Sequence, residues 1–251
     1  MRATGKTKDQ SISFVRWADP ERRAWILICF PWAGAGASPY YRWPAWVGDS
    51  GAVWALRLAG RETRFAEAPV ANLGQLIPEL VDELETQISS PYVLLGQCSG
   101  ALLAFEVALE LVRRGSPEPS HFIVAAEPAP SRTHLHAQRG VSDLREEVRT
   151  LGLMPADVLD DDDLFDLLES ALQADLHLSE TYEYCPDHQL ACDLTAVVGR
   201  EDQHVSRDEL LGWREATTGA YSLREIDGDH LFSGKDHRGL ALLVASVLSA
   251  E

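Results

Sequence analysis

The chain of 251 residues is long enough to bury a substantial core, in one large α/β domain or two small ones. Its 45% hydrophobic and 24% charged residues exclude a disordered or fibrous chain, and a formal net charge of −17 argues against a nucleic-acid footprint and against adhesion to anionic membranes. Four cysteines (Cys29, Cys98, Cys185 and Cys192) without paired spacing suit reduced thiols better than a disulfide framework or a metal site.

In chain order, the opening stretch MRATGKTKDQSISF is polar and basic with no apolar h-region, so a tail is expected and no signal peptide. No apolar run reaches the roughly 18 residues needed to span a bilayer, and a soluble, cytoplasmic protein is expected. Residues 25–30 (WILICF) are a continuous apolar run ended by Pro31, which suits a strand buried on both faces of a parallel sheet. A small-residue loop, PWAGAGAS, follows, and 53–58 (VWALRL) predict a second strand closed by Ala59-Gly60. Over 73–88 the apolar residues recur at helical spacing. Strands are predicted at 92–95, 122–126, 194–198 and 221–226, with helices at 101–114 and 239–248. Strands alternating with helices predict an α/β fold with a mostly parallel, doubly wound sheet.

Residues 141–184 break that rhythm. They predict consecutive helices: one starting at Ser142-Asp143, then a helix over 164–181 capped by the acidic run 160–163. The run is expected to be a solvated helix start and not a calcium loop. A helical lid inserted into one domain spanning 1–251 is the expectation.

The stretch LLGQCSG, residues 94–100, has the outline of a nucleophile elbow, G-x-S-x-G, with Cys98 in place of the serine. A strand before it, a helix after it and small residues on both sides supply what the sharp turn needs. The helix N-terminus behind Cys98 favours a thiolate, the reactive form of cysteine. In an α/β-hydrolase the acid and then the base follow the nucleophile, each on a loop after a strand. LTAVVGRED ends in Asp202 and REIDGDH ends in His230, so Cys98, Asp202 and His230 stand in the required order. His204 shares the acid's loop, His237 has no strand before it, and Asp229 reads as a turn residue. Ser99 is an alternative nucleophile one residue off the apex, and Glu127, after the strand that follows the elbow, is an alternative acid.

These stretches resemble the type II thioesterases, stand-alone α/β-hydrolases that serve polyketide synthases and nonribosomal peptide synthetases. The likeness is carried by CFPWAGAGASPYYRW, LRLAGRETRFAE, LLGQCSGALLAFEVA, ALQADLHLSETYEY, LTAVVGREDQHV and GDHLF, nearly the whole chain from about Ser13 onward. The resemblance implies an oxyanion hole made by the backbone N–H groups of Ala33 and Ser99, and it assigns Trp32 to the substrate pocket. It implies acyl or aminoacyl thioesters as substrates, carried on the phosphopantetheine of an acyl or peptidyl carrier protein or on coenzyme A, with no cofactor of the protein's own. The chain departs from the usual family pattern at Trp32 (His), at Gly34-Ala35 (Gly-Gly) and at the elbow, where G-H-S-M-G or G-H-S-L-G is usual.

With cysteine at the apex, attack on a thioester yields another thioester, so the acyl group stays activated. The substitution tilts the chemistry from hydrolysis toward transfer, as in aminoacyl shuttles or Dieckmann-type cyclases. A non-catalytic module that binds carrier proteins is the alternative of another class. Arg57, Arg61, Arg64, Arg113 and Arg114 are the candidate carrier-docking cations in so acidic a chain.

Overall fold

The computed structural model describes residues 13–17, 23–88, 91–132, 143–232 and 236–248. Strands β1 (Phe14–Arg16), β2 (Trp25–Phe30), β3 (Gly51–Leu56), β4 (Tyr92–Gln97), β5 (His121–Ala125), β6 (Asp193–Gly199) and β7 (Tyr221–Ile226) form a seven-stranded sheet in the order β1-β3-β2-β4-β5-β6-β7. All pairs are parallel except β1 with β3, where Phe14 faces Leu56.

Strand alternation divides the core in two. Along β2, Ile26, Ile28 and Phe30 face one apolar cluster while Leu27 and Cys29 face the other. The first cluster is closed by helices α2 (Leu73–Glu85) and α3 (Gly100–Arg113), through Leu76, Leu80, Leu84, Phe105 and Leu111. The second is closed by α1 (Trp43–Val47) and the C-terminal helix, through Trp43, Leu240 and Val244. With helices on both faces, a strand has no solvent side, which is why β2, β4 and β5 read as unbroken apolar runs.

Between β5 and β6 lie α4 (Leu144–Leu151), α5 (Ala156–Leu159) and α6 (Asp162–Glu180). The acidic run opens α6: Asp161 is its N-cap and accepts from the Leu164 N–H at 3.0 Å, while Asp162 and Asp163 occupy the first turn, where the helix dipole favours negative charge. Asp162 and Asp160 also pair with Arg145 and Arg149 of α4, at 2.6 and 3.2 Å. After β6 come α7 (Arg207–Leu211), started by a Ser206–Glu209 capping box, and, beyond β7, α8 (Asp236–Leu248).

Several boundaries differ from the sequence expectations. The second expected strand runs over Gly51–Leu56 and not 53–58, because β1 and β2 offer partners only that far. The Arg57 N–H still reaches back to Ser13 O at 2.6 Å, but Arg57 and Leu58 belong to the loop. The long insertion helix starts at Asp162, two residues earlier than expected. Strand β1 and helix α7 were not anticipated, since three and five residues are too few to show a period. The expected tail over 1–12 and the helix start at Ser142 lie outside the described residues, whereas Asp143 caps α4 by accepting from Arg145 N at 2.9 Å.

Candidate active site

The chain turns sharply between β4 and α3. Cys98 sits at the apex with φ of +49°, a left-handed backbone that a non-glycine residue adopts at a cost of about 1–3 kcal/mol. Two backbone bonds hold it there: Cys98 N to Ala125 O and Ala101 N to Cys98 O, both 2.8 Å. The glycine that follows is sterically required. A β-carbon at Gly100 would collide with the Pro31 and Phe30 carbonyl oxygens, so α3 can begin against β2 only without a side chain. Cys98 itself is 8% exposed.

His230 comes from the loop after β7 and Asp202 from the loop after β6. His230 Nδ1 lies 3.0 Å from Asp202 Oδ2, and Asp202 Oδ1 accepts from the backbone N–H groups of His204 (2.8 Å) and Val205 (3.1 Å). Burial works against ionising Asp202, but His230 and those two N–H donors outweigh it and hold the carboxyl below its ordinary range. Burial also opposes a charged His230, yet the adjacent Cys98 sulfur and the Asp202 carboxylate prevail and push the imidazole up to about 10. Its Nε2 is buried and has no well-aligned bond among the described residues, an arrangement that tightens in enzymes when substrate arrives.

The other sequence candidates separate clearly. Glu127 is buried, its carboxyl pushed up to about 8 by desolvation and only partly drawn back by His230. The hydrogen bond to His230 comes from Asp202, and none joins Glu127 to it among the described residues. Ser99 opens α3 with helical dihedrals, and no hydrogen bond joins its hydroxyl to His230 among the described residues. His204 stacks edge-on against His230, with ring centroids 5.3 Å apart. Asp229 accepts from Leu231 N at 3.1 Å, within the turn.

The loop after β2 forms a turn in which Ala35 N donates to Trp32 O at 3.1 Å, with Gly34 at φ of +79° in the position that needs a positive φ. Among the described residues, the N–H groups of Ala33 and Ser99 donate to no protein acceptor. Trp32 is half-buried, and its Nε1 donates to Leu153 O at 3.3 Å. Cys98, Ala33 and Leu231 share one apolar cluster with Val148, Leu159, Phe165 and Leu172 of helices α4–α6 and with Leu153 of the link between α4 and α5. A cavity of about 30 Å³ opens beside Ser99, Ala33 and Trp32, walled by Leu102, Leu103 and Leu178; Cys98 does not line it.

Three features were not read from the sequence. Gln97, beside Cys98, is fully buried: its Oε1 accepts from Tyr40 OH (2.8 Å) and His237 Nε2 (3.3 Å), and its Nε2 donates to Leu231 O (3.0 Å). His237 Nδ1 accepts from Trp43 Nε1 at 3.2 Å, and burial lowers this histidine to about 4, so it stays neutral and donates from Nε2. Arg61, expected among the docking cations, is 4% exposed and ion-paired with Asp175 of α6, which removes it from any surface. An aspartate among the apolar positions 165, 171, 172, 174 and 178 of α6 was the signal available. Of the remaining arginines, Arg64 pairs with Glu67, and Arg113 and Arg114 pair with Glu110.

The family model described as "Thioesterase domain" matches residues 25–246. The chain belongs to the thioesterase family. It is 33% identical over 210 residues to the gramicidin S biosynthesis protein GrsT of Aneurinibacillus migulanus, with 82% of each chain covered. Among solved structures it is similar to RedJ, a thioesterase from the prodiginine biosynthetic pathway in Streptomyces coelicolor, at 35% identity and TM-score 0.82, over 91% of this chain and 87% of that one. The type II thioesterase BorB from the borrelidin biosynthetic cluster follows at 28% identity and TM-score 0.79, over 96% and 97%. The fold of this thioesterase is accordingly that of an α/β-hydrolase. No helix among its described residues is long and apolar enough to cross a membrane.

Proposed function

We propose that this thioesterase works through an acyl-enzyme on Cys98, acting on acyl or aminoacyl thioesters of carrier-protein phosphopantetheine, or of coenzyme A, in a cytoplasmic polyketide or nonribosomal peptide pathway. The observation that carries the reading is the relay itself: His230 is bonded to Asp202 on one side and electrostatically coupled to Cys98 on the other. The biosynthetic names of GrsT, RedJ and BorB support the substrate class.

The Cys98 sulfur adds to the thioester carbonyl while His230 holds the thiol proton. The carbonyl oxygen takes up negative charge between the Ala33 and Ser99 N–H groups, which donate to no other acceptor among the described residues. The tetrahedral adduct collapses by breaking the bond to the pantetheine sulfur, and His230 delivers its proton to that leaving thiolate. The product is a thioester on Cys98. Asp202 stabilises the imidazolium throughout and fixes the Nδ1–H tautomer. Helices α4–α6 act as the lid: apolar residues of this segment pack in one cluster with Cys98.

Water, acting as the second nucleophile, gives hydrolysis. The sulfur at the apex favours a second outcome, transfer or cyclisation, because a thioester intermediate reacts sluggishly with water and readily with amines, thiols or stabilised carbanions. Intact-protein mass spectrometry after mixing with an acyl-carrier thioester tests the reading. An acyl increment that disappears in Cys98→Ala supports it. Binding of the carrier with no increment on the native protein overturns it in favour of a carrier-binding module. Adding acceptors to the acylated protein then separates transfer from hydrolysis.

A further inference from the structure

We propose that Asp175 and Arg61 are positioning residues that make the oxyanion hole depend on the seating of helix α6. This rests on the reading that Cys98 is acylated, and it names what sets the geometry of that step.

The Ala33 N–H belongs to the Trp32–Ala33 peptide unit. That unit is pinned through its carbonyl, which accepts from Ala35 N at 3.1 Å. In a planar trans peptide the N–H points opposite to the C=O, so this bond aims the Ala33 N–H out of the turn. Three residues cannot hold such a turn rigid by one bond. The remaining restraint comes from outside. Asp175 Oδ2 accepts from Gly34 N at 2.8 Å, which fixes the next peptide unit. Arg61 Nη1 donates to Ala35 O at 2.9 Å, which fixes the Ala35–Gly36 unit, two further along the loop. Arg61 Nη2 in turn donates to Asp175 Oδ1 at 2.8 Å, so a single bidentate pair clamps the loop from both sides.

The helix contributes shape as well as charge. Leu172, one turn before Asp175 on the same face of α6, lies where a β-carbon at Gly34 would come within 3.1 Å of its Cδ1. When α6 lifts, Gly34 N loses its acceptor and Arg61 is left as a buried cation without its carboxylate. Lid opening therefore loosens the oxyanion loop, and lid closure rebuilds it. Substrate enters while the hole is unmade, and the stabilising donors assemble only around a seated acyl group.

The test compares two reactions of the same sulfur. Acylation by a thioester develops an oxyanion, whereas alkylation by iodoacetamide does not. In Asp175→Asn, acylation of Cys98 is expected to fall about 10²-fold, the scale of one lost oxyanion donor, with alkylation unchanged within about twofold. The double variant Arg61→Met/Asp175→Leu removes both charges together, leaves neither buried alone, and is expected to show the same split. A proportional fall in both reactions, or no fall in either, overturns the proposal. Hydrogen exchange supplies a readout independent of catalysis. The amides of residues 33–35 are expected to exchange at least tenfold faster in the double variant, with β4 and β5 unchanged. Unchanged exchange at 33–35 also overturns it. If native Cys98 takes no acyl group, the catalytic reading fails, and exchange alone decides the clamp.

Discussion

On the proposed mechanism the elbow at Cys98 and the loop after β2 would face the same reacting carbonyl, but the two are held in opposite ways. The elbow is locally built. Its strand, apex and helix are consecutive, its strain at Cys98 is carried by bonds to neighbouring Ala101 and to the adjacent strand at Ala125, and its close approach is licensed by two glycines, Gly96 and Gly100. The turn at 32–35 has a single internal backbone bond among the described residues and borrows the rest from Arg61 and from Asp175, the latter 141 residues from Gly34. A local device is as stable as the sheet it grows from, while a borrowed one follows whatever lends to it.

Substitutions break that contrast at different points, and the largest effect belongs to the apex. Cys98→Ala is expected to abolish the acyl adduct altogether, read as the absence of any mass increment. Cys98→Ser is expected to retain an adduct as an oxygen ester and to shift its fate toward hydrolysis or a stalled ester, read by the product ratio with and without an amine acceptor. Next come the relay residues. His230→Ala should lower the acylation rate by about 10²–10⁴-fold, the range for a positioned acid–base group. Asp202→Asn should act in the same direction, whereas Glu127→Gln should leave acylation within about threefold. A larger loss in Glu127→Gln than in Asp202→Asn, measured by rapid-quench acylation, would reverse the assignment of the acid.

Two glycine substitutions compare the regions directly. Gly100→Ala must push backbone carbonyls apart and is expected to cost about 3 kcal/mol or more in denaturant unfolding. At Gly34, an alanine meets only the movable end of Leu172 and a strained φ, and about 1–2 kcal/mol is expected. Equal costs at the two sites would remove the distinction between a rigid elbow and a dependent loop.

A pH dependence is expected at Glu127, just past the end of β5 and on the far side of the elbow strand β4 from the loop after β2. Its folded-state value of about 8 lies above the ordinary 4.5, so the folded form binds its proton more tightly than the unfolded chain. The contribution is fully present below pH 4.5 and is lost as pH rises toward 8. Native protein should therefore lose about 3–4 kcal/mol more than Glu127→Gln between pH 5 and 8, seen as a steeper fall in urea midpoint. Parallel midpoints would show that the carboxyl is ionised in the fold.

Much of this molecule was legible in advance, for reasons that particular residues make plain. Residues 25–30 read as a doubly covered strand because every side chain after the half-buried Trp25 is buried, on alternating faces. The sharp turn at Cys98 and the pairing of Asp202 with His230 were legible because each residue follows a strand in a short turn. The ends of β3 were misread because pairing partners, not composition, terminate a strand. Arg61 was misread as a surface cation because its burial is decided by a helix more than a hundred residues later.

The amino-acid sequence by itself determined the alternating strands and helices, the glycine-flanked apex and the order of the three relay residues. Those features depend on periods of two and 3.6 residues and on backbone sterics, which act within a few positions of one another. Only the tertiary structure decided which carboxylate meets His230, why His237 stays neutral against Gln97 and Trp43, and how Asp175 and Arg61 hold the turn at Gly34. Each of those outcomes turns on the burial of a polar group beside one distant partner, and that energy exists only once the chain has closed around the pair.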